Sequence, residues 1–108
     1  MGLFGKKKTV DLADNEYYFP MNFFRYVLED NALLIKLINK KGLVTDEQVI
    51  PYRKITNVTK TSRGGGQFAI KIYLDDDRNG KPEIEIFYKE KTDGEQAERF
   101  YRELQSRL

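Results

Sequence analysis

Neither cysteine nor histidine occurs anywhere in the sequence. Without cysteine there is no disulfide framework, no thiolate metal site and no thiol nucleophile, a composition compatible with a reducing compartment. Without histidine the chain lacks the commonest general base and metal ligand near neutral pH. Together the two absences exclude most hydrolases and transition-metal enzymes, leaving only carboxylate, lysine, serine or tyrosine chemistry formally open. No enzymatic activity and no cofactor are therefore expected. No apolar run approaches the roughly 20 residues of a membrane span. The first residues, MGLFGKKK, are not expected to act as a secretory leader, because the lysines follow one short apolar patch. The expected location is the cytoplasm, with peripheral attachment to the inner face of the membrane as an extension of it.

What is present suits a single domain: 108 residues, a third of them charged, with a formal net charge of +2. The charge is uneven. Residues 1–63 hold 11 Lys and Arg against 7 Asp and Glu, whereas residues 64–108 hold 8 against 10. An anionic partner would prefer the first half.

Residues 1–16 are short, polar and mixed, and read as a mobile arm ahead of a domain over 17–108. FFRYVLED and ALLIKLIN then form a hairpin, split by Asp30 and Asn31, which favour turns. NKKG turns the chain into LVTDEQVIPY, where Pro51 places the strand's end at an edge or a bulge. KITNVTKTS is rich in β-branched residues and ends at RGGG. QFAIKIYL alternates, with Phe68, Ile70, Ile72 and Leu74 on one face, and EIEIFY does the same with Ile84, Ile86 and Tyr88. The period then changes. Ala97, Phe100, Tyr101, Leu104 and Leu108 form an apolar stripe on a charged helix, whose start near Asp93 is suggested by a capping box of Thr92 and Glu95. Glu95 with Arg99, Glu98 with Arg102 and Glu103 with Arg107 are spaced as i,i+4 ion pairs. The expected fold is mainly β with one C-terminal α-helix. Six to seven antiparallel strands would curl into a barrel or an orthogonal sandwich capped by the helix.

The hairpin LDDDRNGKPEIEI poses a separate question, since Asp75, Asp77, Asn79 and Gly80 are spaced like the opening of a calcium loop. Glu83 would extend that oxygen set, but position twelve falls on Ile86 where a chelating carboxylate belongs. A tight turn explains the stretch better: a three-residue loop of Arg78, Asn79 and Gly80 pairs Leu74 with Ile84 and Ile72 with Ile86. That register sets Asp75 opposite Glu83, a mild repulsion. No metal is expected, with Asp75, Asp77, Asn79 and Glu83 as the one candidate set.

The stretch Phe24 to Val58 carries an aromatic strand ending in an acidic turn, a strand with Leu34 and Ile35, a turn glycine at Gly42, and an IPY core of Ile50, Pro51 and Tyr52 followed by Ile55 and Val58. With the closing EQAERFYRELQSRL, this pattern resembles the bacterial PH domains of the pleckstrin-homology-like superfold, over roughly Tyr17 to Leu108. The resemblance implies a PH-like interaction module without enzymatic activity, which associates with membranes or assembles with proteins. Lipid-binding PH domains grip inositol phosphates with basic residues in the loop joining the first two strands. Here that loop reads LEDN, which is acidic.

Three further features bear on partners. Leu3 and Phe4 with Lys6, Lys7 and Lys8 make a small interfacial anchor, worth about 1 kcal/mol per lysine at an anionic surface. Lys40, Lys41, Arg53, Lys54, Lys60 and Arg63 are expected to gather on one rim and receive an anion, a lipid headgroup or a protein partner. If those residues instead bound a phosphate backbone, the chain would be a nucleic-acid-binding module. An exposed strand edge or the aromatic YYFPMNFF segment would serve homo-oligomerisation.

Overall fold

The computed structural model describes residues 13–19, 24–75, 82 and 84–108. Among them are seven strands: β1 (Glu16–Phe19), β2 (Phe24–Leu28), β3 (Ala32–Ile38), β4 (Val44–Pro51), β5 (Ile55–Gly64), β6 (Gln67–Leu74) and β7 (Ile84–Lys89). One 3-10 turn, Tyr52–Lys54, links β4 to β5, and one helix, α1 (Glu90–Gln105), follows β7.

Antiparallel pairing builds two sheets, of order β1-β2-β3-β4 and β5-β6-β7. The expectation of a mainly β chain with one C-terminal helix holds, but among the described residues the sheets are not closed into a barrel. A physical cause lies at β1. The side-chain amide of Gln96 on α1 accepts from the Tyr18 N–H at 2.8 Å and donates to the Tyr18 carbonyl at 3.0 Å. The backbone groups a closing ladder would use are thereby occupied.

Cross-strand rows define the inner face of the first sheet: Leu28, Leu33 and Ile50; Tyr17, Tyr26, Ile35 and Gln48; Phe19, Phe24, Leu37 and Asp46. The inner residues of the second sheet are Val58, Ile70, Ile72, Ile86 and Tyr88, and α1 contributes Ala97, Phe100 and Leu104 to the same core. Aromatic rings dominate the join. Phe100 meets Tyr17, Phe19 and Tyr26 with ring centroids 5.1, 6.0 and 5.8 Å away, separations at which tilted and edge-on rings attract.

Several local expectations change. The described structure starts at Ala13, inside the segment assigned to the arm. Asn15 is held there by its amide on the Leu28 carbonyl and by its own carbonyl under the Leu28 N–H. The β6–β7 ladder pairs Ile72 with Ile84 and Ile70 with Ile86, two residues away from the expected register. A shift of two keeps every side chain on its face and brings Lys71 opposite Glu85, an attraction that the expected register lacked. The helix begins at Glu90, three residues before the supposed start, and no side chain caps it. Its first N–H is instead taken by the Gly66 carbonyl at 2.9 Å. Gly64, Gly65 and Gly66 all have φ between +62° and +86°, backbone that only glycine adopts cheaply, and this run delivers that carbonyl. Leu108 lies past the end of α1 and is exposed.

Candidate functional site

β4 sits at the edge of its sheet, and its burial changes along its length. Ile50 is buried, whereas every residue from Val44 to Val49 is exposed. The apolar floor of β2 and β3 nevertheless continues beneath that stretch, so that Leu37 is left 36% exposed. Two adjoining hollows of about 210 Å³ each follow this floor. They share Phe24, Ile35 and Gln48. One adds Leu37, Asp46 and Glu47, and the other adds Tyr26, Ile84 and Glu85. The open side between the sheets is therefore a trough with an apolar floor, lined at its rim by β4 and β7, where Asp46 is the acid whose side chain belongs to the inner face.

The outward groups of β4 follow from its pairing. Pro51 has no N–H, and the Tyr52 N–H reaches the Asn31 carbonyl at 3.3 Å, so Asp46, Gln48 and Ile50 face β3 with their backbone groups. Glu47 and Val49 thus point their N–H and C=O groups away from the sheet, while Thr45 falls in the bulge at Leu37 and Ile38. The Asp46 carboxylate accepts the Glu47 N–H at 2.9 Å, as befits a donor on the outer edge. Across β3, Glu47 stands opposite Lys36.

The six basic residues singled out from the sequence are not brought to one rim. Lys40 and Lys41 occupy the β3–β4 turn, where the Asn39 side chain accepts from the N–H groups of Lys41 and Leu43, both at 2.9 Å, and Gly42 supplies φ +82°. Arg53 and Lys54 lie in the 3-10 turn, beyond the opposite end of the same hairpin. Seven residues of β3 place these two pairs about 20 Å apart. Lys60 reaches across to Glu98 on α1 and lies 5.5 Å from the Tyr101 ring centre. Arg63 lies 4.4 Å over the Phe87 ring. Two of the six are thus engaged within the fold.

A second cleft, about 300 Å³, lies between the residue 13–15 turn, β2 and α1. Its charges are mixed. Arg99 and Arg107 line it together with Asp14 and Glu103. Glu103 accepts from Arg107 through both its carbonyl and its carboxylate, at 2.8 and 2.9 Å, which raises the affinity of Arg107 for its proton. Arg99 lies 5.3 Å from the Tyr17 ring centre. Of the three helical ion pairs expected, Glu98–Arg102 and Glu103–Arg107 form, and Arg99 stacks on Tyr17.

Leu3, Phe4, Lys6, Lys7 and Lys8 lie outside the described residues, as do Asp77, Asn79 and Glu83 of the acidic hairpin. Among the described residues no group of three or more Asp and Glu could hold a metal ion, and no helix is long and apolar enough to cross a membrane.

Sequence reasoning placed the end of β4 at an edge or a bulge through Pro51, and the strand is an edge strand, but TDEQ, polar and without a motif, drew no functional reading. Gln96 was passed over too, as one more polar residue on a charged helix.

No protein-family model, no curated protein and no solved structure matches this chain.

Proposed function

We propose that this chain is a non-enzymatic, PH-like interaction module that engages a protein partner at the open side between its two sheets. The observation carrying this reading is the apolar floor of Phe24, Ile35 and Leu37, which continues past the core under an exposed edge strand. Uncovered apolar surface rimmed by polar groups is the usual form of a docking surface. Among the described residues the trough is lined by Asp46 and by no lysine or arginine, which favours a protein over an anionic membrane or a nucleic acid. The scattering of Lys40, Lys41, Arg53 and Lys54 along the first sheet supports the same preference.

The test compares the native chain with Leu37→Asp and with the pair Lys40→Glu/Lys41→Glu. Capture of a protein from a lysate of the source organism, lost in Leu37→Asp and kept in the lysine variant, is the expected result. Sedimentation with anionic vesicles, or salt-sensitive retention of RNA, that ignores Leu37→Asp would overturn the reading in favour of a membrane or nucleic-acid role.

A further inference from the structure

The first sheet has two edges, treated differently by the fold. At β1, Gln96 closes both backbone groups of Tyr18. At β4, Glu47 and Val49 turn their backbone groups outward, and the Glu47 N–H is met by the neighbouring Asp46 carboxylate. A carboxylate in that place is a substitute that an incoming carbonyl can displace.

We infer that β4 is a strand-addition site for an extended partner segment bearing two adjacent basic residues flanked by β-branched ones. The inference rests on the proposed docking role of the open side and specifies its occupant.

Main-chain pairing supplies the affinity of such a contact, and alternate side chains supply its selectivity. Asp46 lies on the inner face, in the row ending Phe24, Leu37, Asp46, and Glu47 lies on the outer face next to Lys36. An antiparallel partner would therefore need a cation on each of two consecutive residues, one per face. Beside Val49 and Val44, both exposed, it would need apolar, strand-forming residues. As the partner's carbonyl takes the Glu47 N–H, the Asp46 carboxylate is released to meet the inner cation.

A second copy of this chain fits less well. Two β4 strands pairing antiparallel about their acidic centre would set Glu47 against itself, or Asp46 against itself, and like charges directly opposite repel. The acids block self-pairing while inviting a basic strand.

The probes are three synthetic peptides: acetyl-TVTKKTV-amide, its counterpart with both lysines changed to glutamate, and the lysine peptide N-methylated at alternate backbone nitrogens. Amide NMR shifts of the native chain report the site. The lysine peptide is expected to move Glu47 and Val49, and each control to bind at least about tenfold more weakly. In Asp46→Lys/Glu47→Lys the preference should invert toward the glutamate peptide. Val49→Pro removes an outward donor but no bond to β3, and should weaken binding without loss of the fold. Equal binding of the N-methylated peptide, or no shift along β4 up to about 1 mM lysine peptide, overturns strand addition. If Phe24, Ile35 and Ile84 shift while β4 does not, the docking trough survives and strand addition alone fails. If neither region responds and Leu37→Asp leaves capture intact, the broader reading fails as well.

Discussion

Gln96 completes the edge of the first sheet by pairing its side-chain amide with both backbone groups of Tyr18, accepting at 2.8 Å and donating at 3.0 Å. A helical residue thereby acts as a one-residue strand. It fastens α1 to β1 across 78 positions of sequence, and it prevents the two sheets from closing through β1.

Replacing Gln96 with alanine leaves the Tyr18 N–H and carbonyl without that partner, at a cost of about 1–3 kcal/mol for a buried or half-buried polar group. Gln96→Glu keeps the acceptor for the N–H but sets a carboxylate against the Tyr18 carbonyl, so it should not rescue. Urea melts of the three proteins check this. Equal midpoints would show that water satisfies Tyr18 as well as Gln96 does.

Much of the fold was legible because its signals are periodic. The alternation in Phe68 to Leu74 and Ile84 to Tyr88, and the stripe members Ala97, Phe100 and Leu104, named faces that burial bears out, apart from Ala69, which is buried on the opposite face, and Leu108, which is exposed. Register was less legible. A period of two is indifferent to a shift of two, and the choice between registers fell to charge pairs such as Lys71 with Glu85. The helix start was misplaced because Thr92 and Glu95 matched a local motif, while the actual partner of the Glu90 N–H, the Gly66 carbonyl, lies 24 residues away. The trough was illegible for a similar reason. Its floor comes from β2 and β3, its rim from β4 and β7, and no short stretch contains both.

Phe100 meets Tyr17, Phe19 and Tyr26 at one point, so Phe100→Ala should cost about 3–5 kcal/mol through the cavity and the lost ring contacts. Against a total stability of about 5–15 kcal/mol for a domain of this kind, that is enough to leave a substantial fraction unfolded. Phe100→Leu should retain most of the lost stability. Thermal melts by circular dichroism check the order native, leucine, alanine.

Tyr52 donates its hydroxyl to the Glu29 carbonyl at 2.6 Å, tying the 3-10 turn after β4 to the β2–β3 turn. Burial pushes its ionisation upward, and Arg107 nearby opposes that push. Tyr52→Phe removes the hydroxyl and keeps the ring, for an expected loss of about 1 kcal/mol. Hydrogen exchange should quicken at Asp30 and Asn31 before it does in β3. Unchanged exchange there would mean that the ring alone holds the turn.

Burial drives Tyr88 up to about 12, with Glu90 and Glu98 adding to the effect. It drives Tyr26 higher still. A phenol whose folded value is raised favours the neutral form in the fold. The resulting stability is complete below the ordinary tyrosine value of 10.0 and is lost as pH rises through about 12. Phenolate absorbance should show Tyr26 and Tyr88 ionising only as the far-ultraviolet signal collapses. Tyr88→Phe should flatten part of the stability loss above pH 10.0. Ionisation of Tyr26 and Tyr88 ahead of unfolding would contradict the burial assigned to these two.

Glu98 is the one described carboxylate shared between two elements: it accepts from Lys60 on β5 and from Arg102 on its own helix, at 2.6 Å for the latter. Those hydrogen bonds, that of Lys60 first, hold its proton affinity below the ordinary glutamate value of 4.5. A depressed carboxylate stabilises the fold above its ordinary value, and that contribution disappears as pH falls through the depressed one. The native chain should therefore melt higher than Glu98→Gln at pH 7, with the gap closing as pH falls well below 4.5. The pair is solvent-facing, so the gap should also shrink in concentrated salt. Lys60→Met should reproduce part of the loss. In a double-mutant cycle the two substitutions should be less than additive, because each removes the same bridge. Strict additivity would mean that Lys60 stabilises β5 through the Tyr101 ring alone, with Glu98 serving only Arg102.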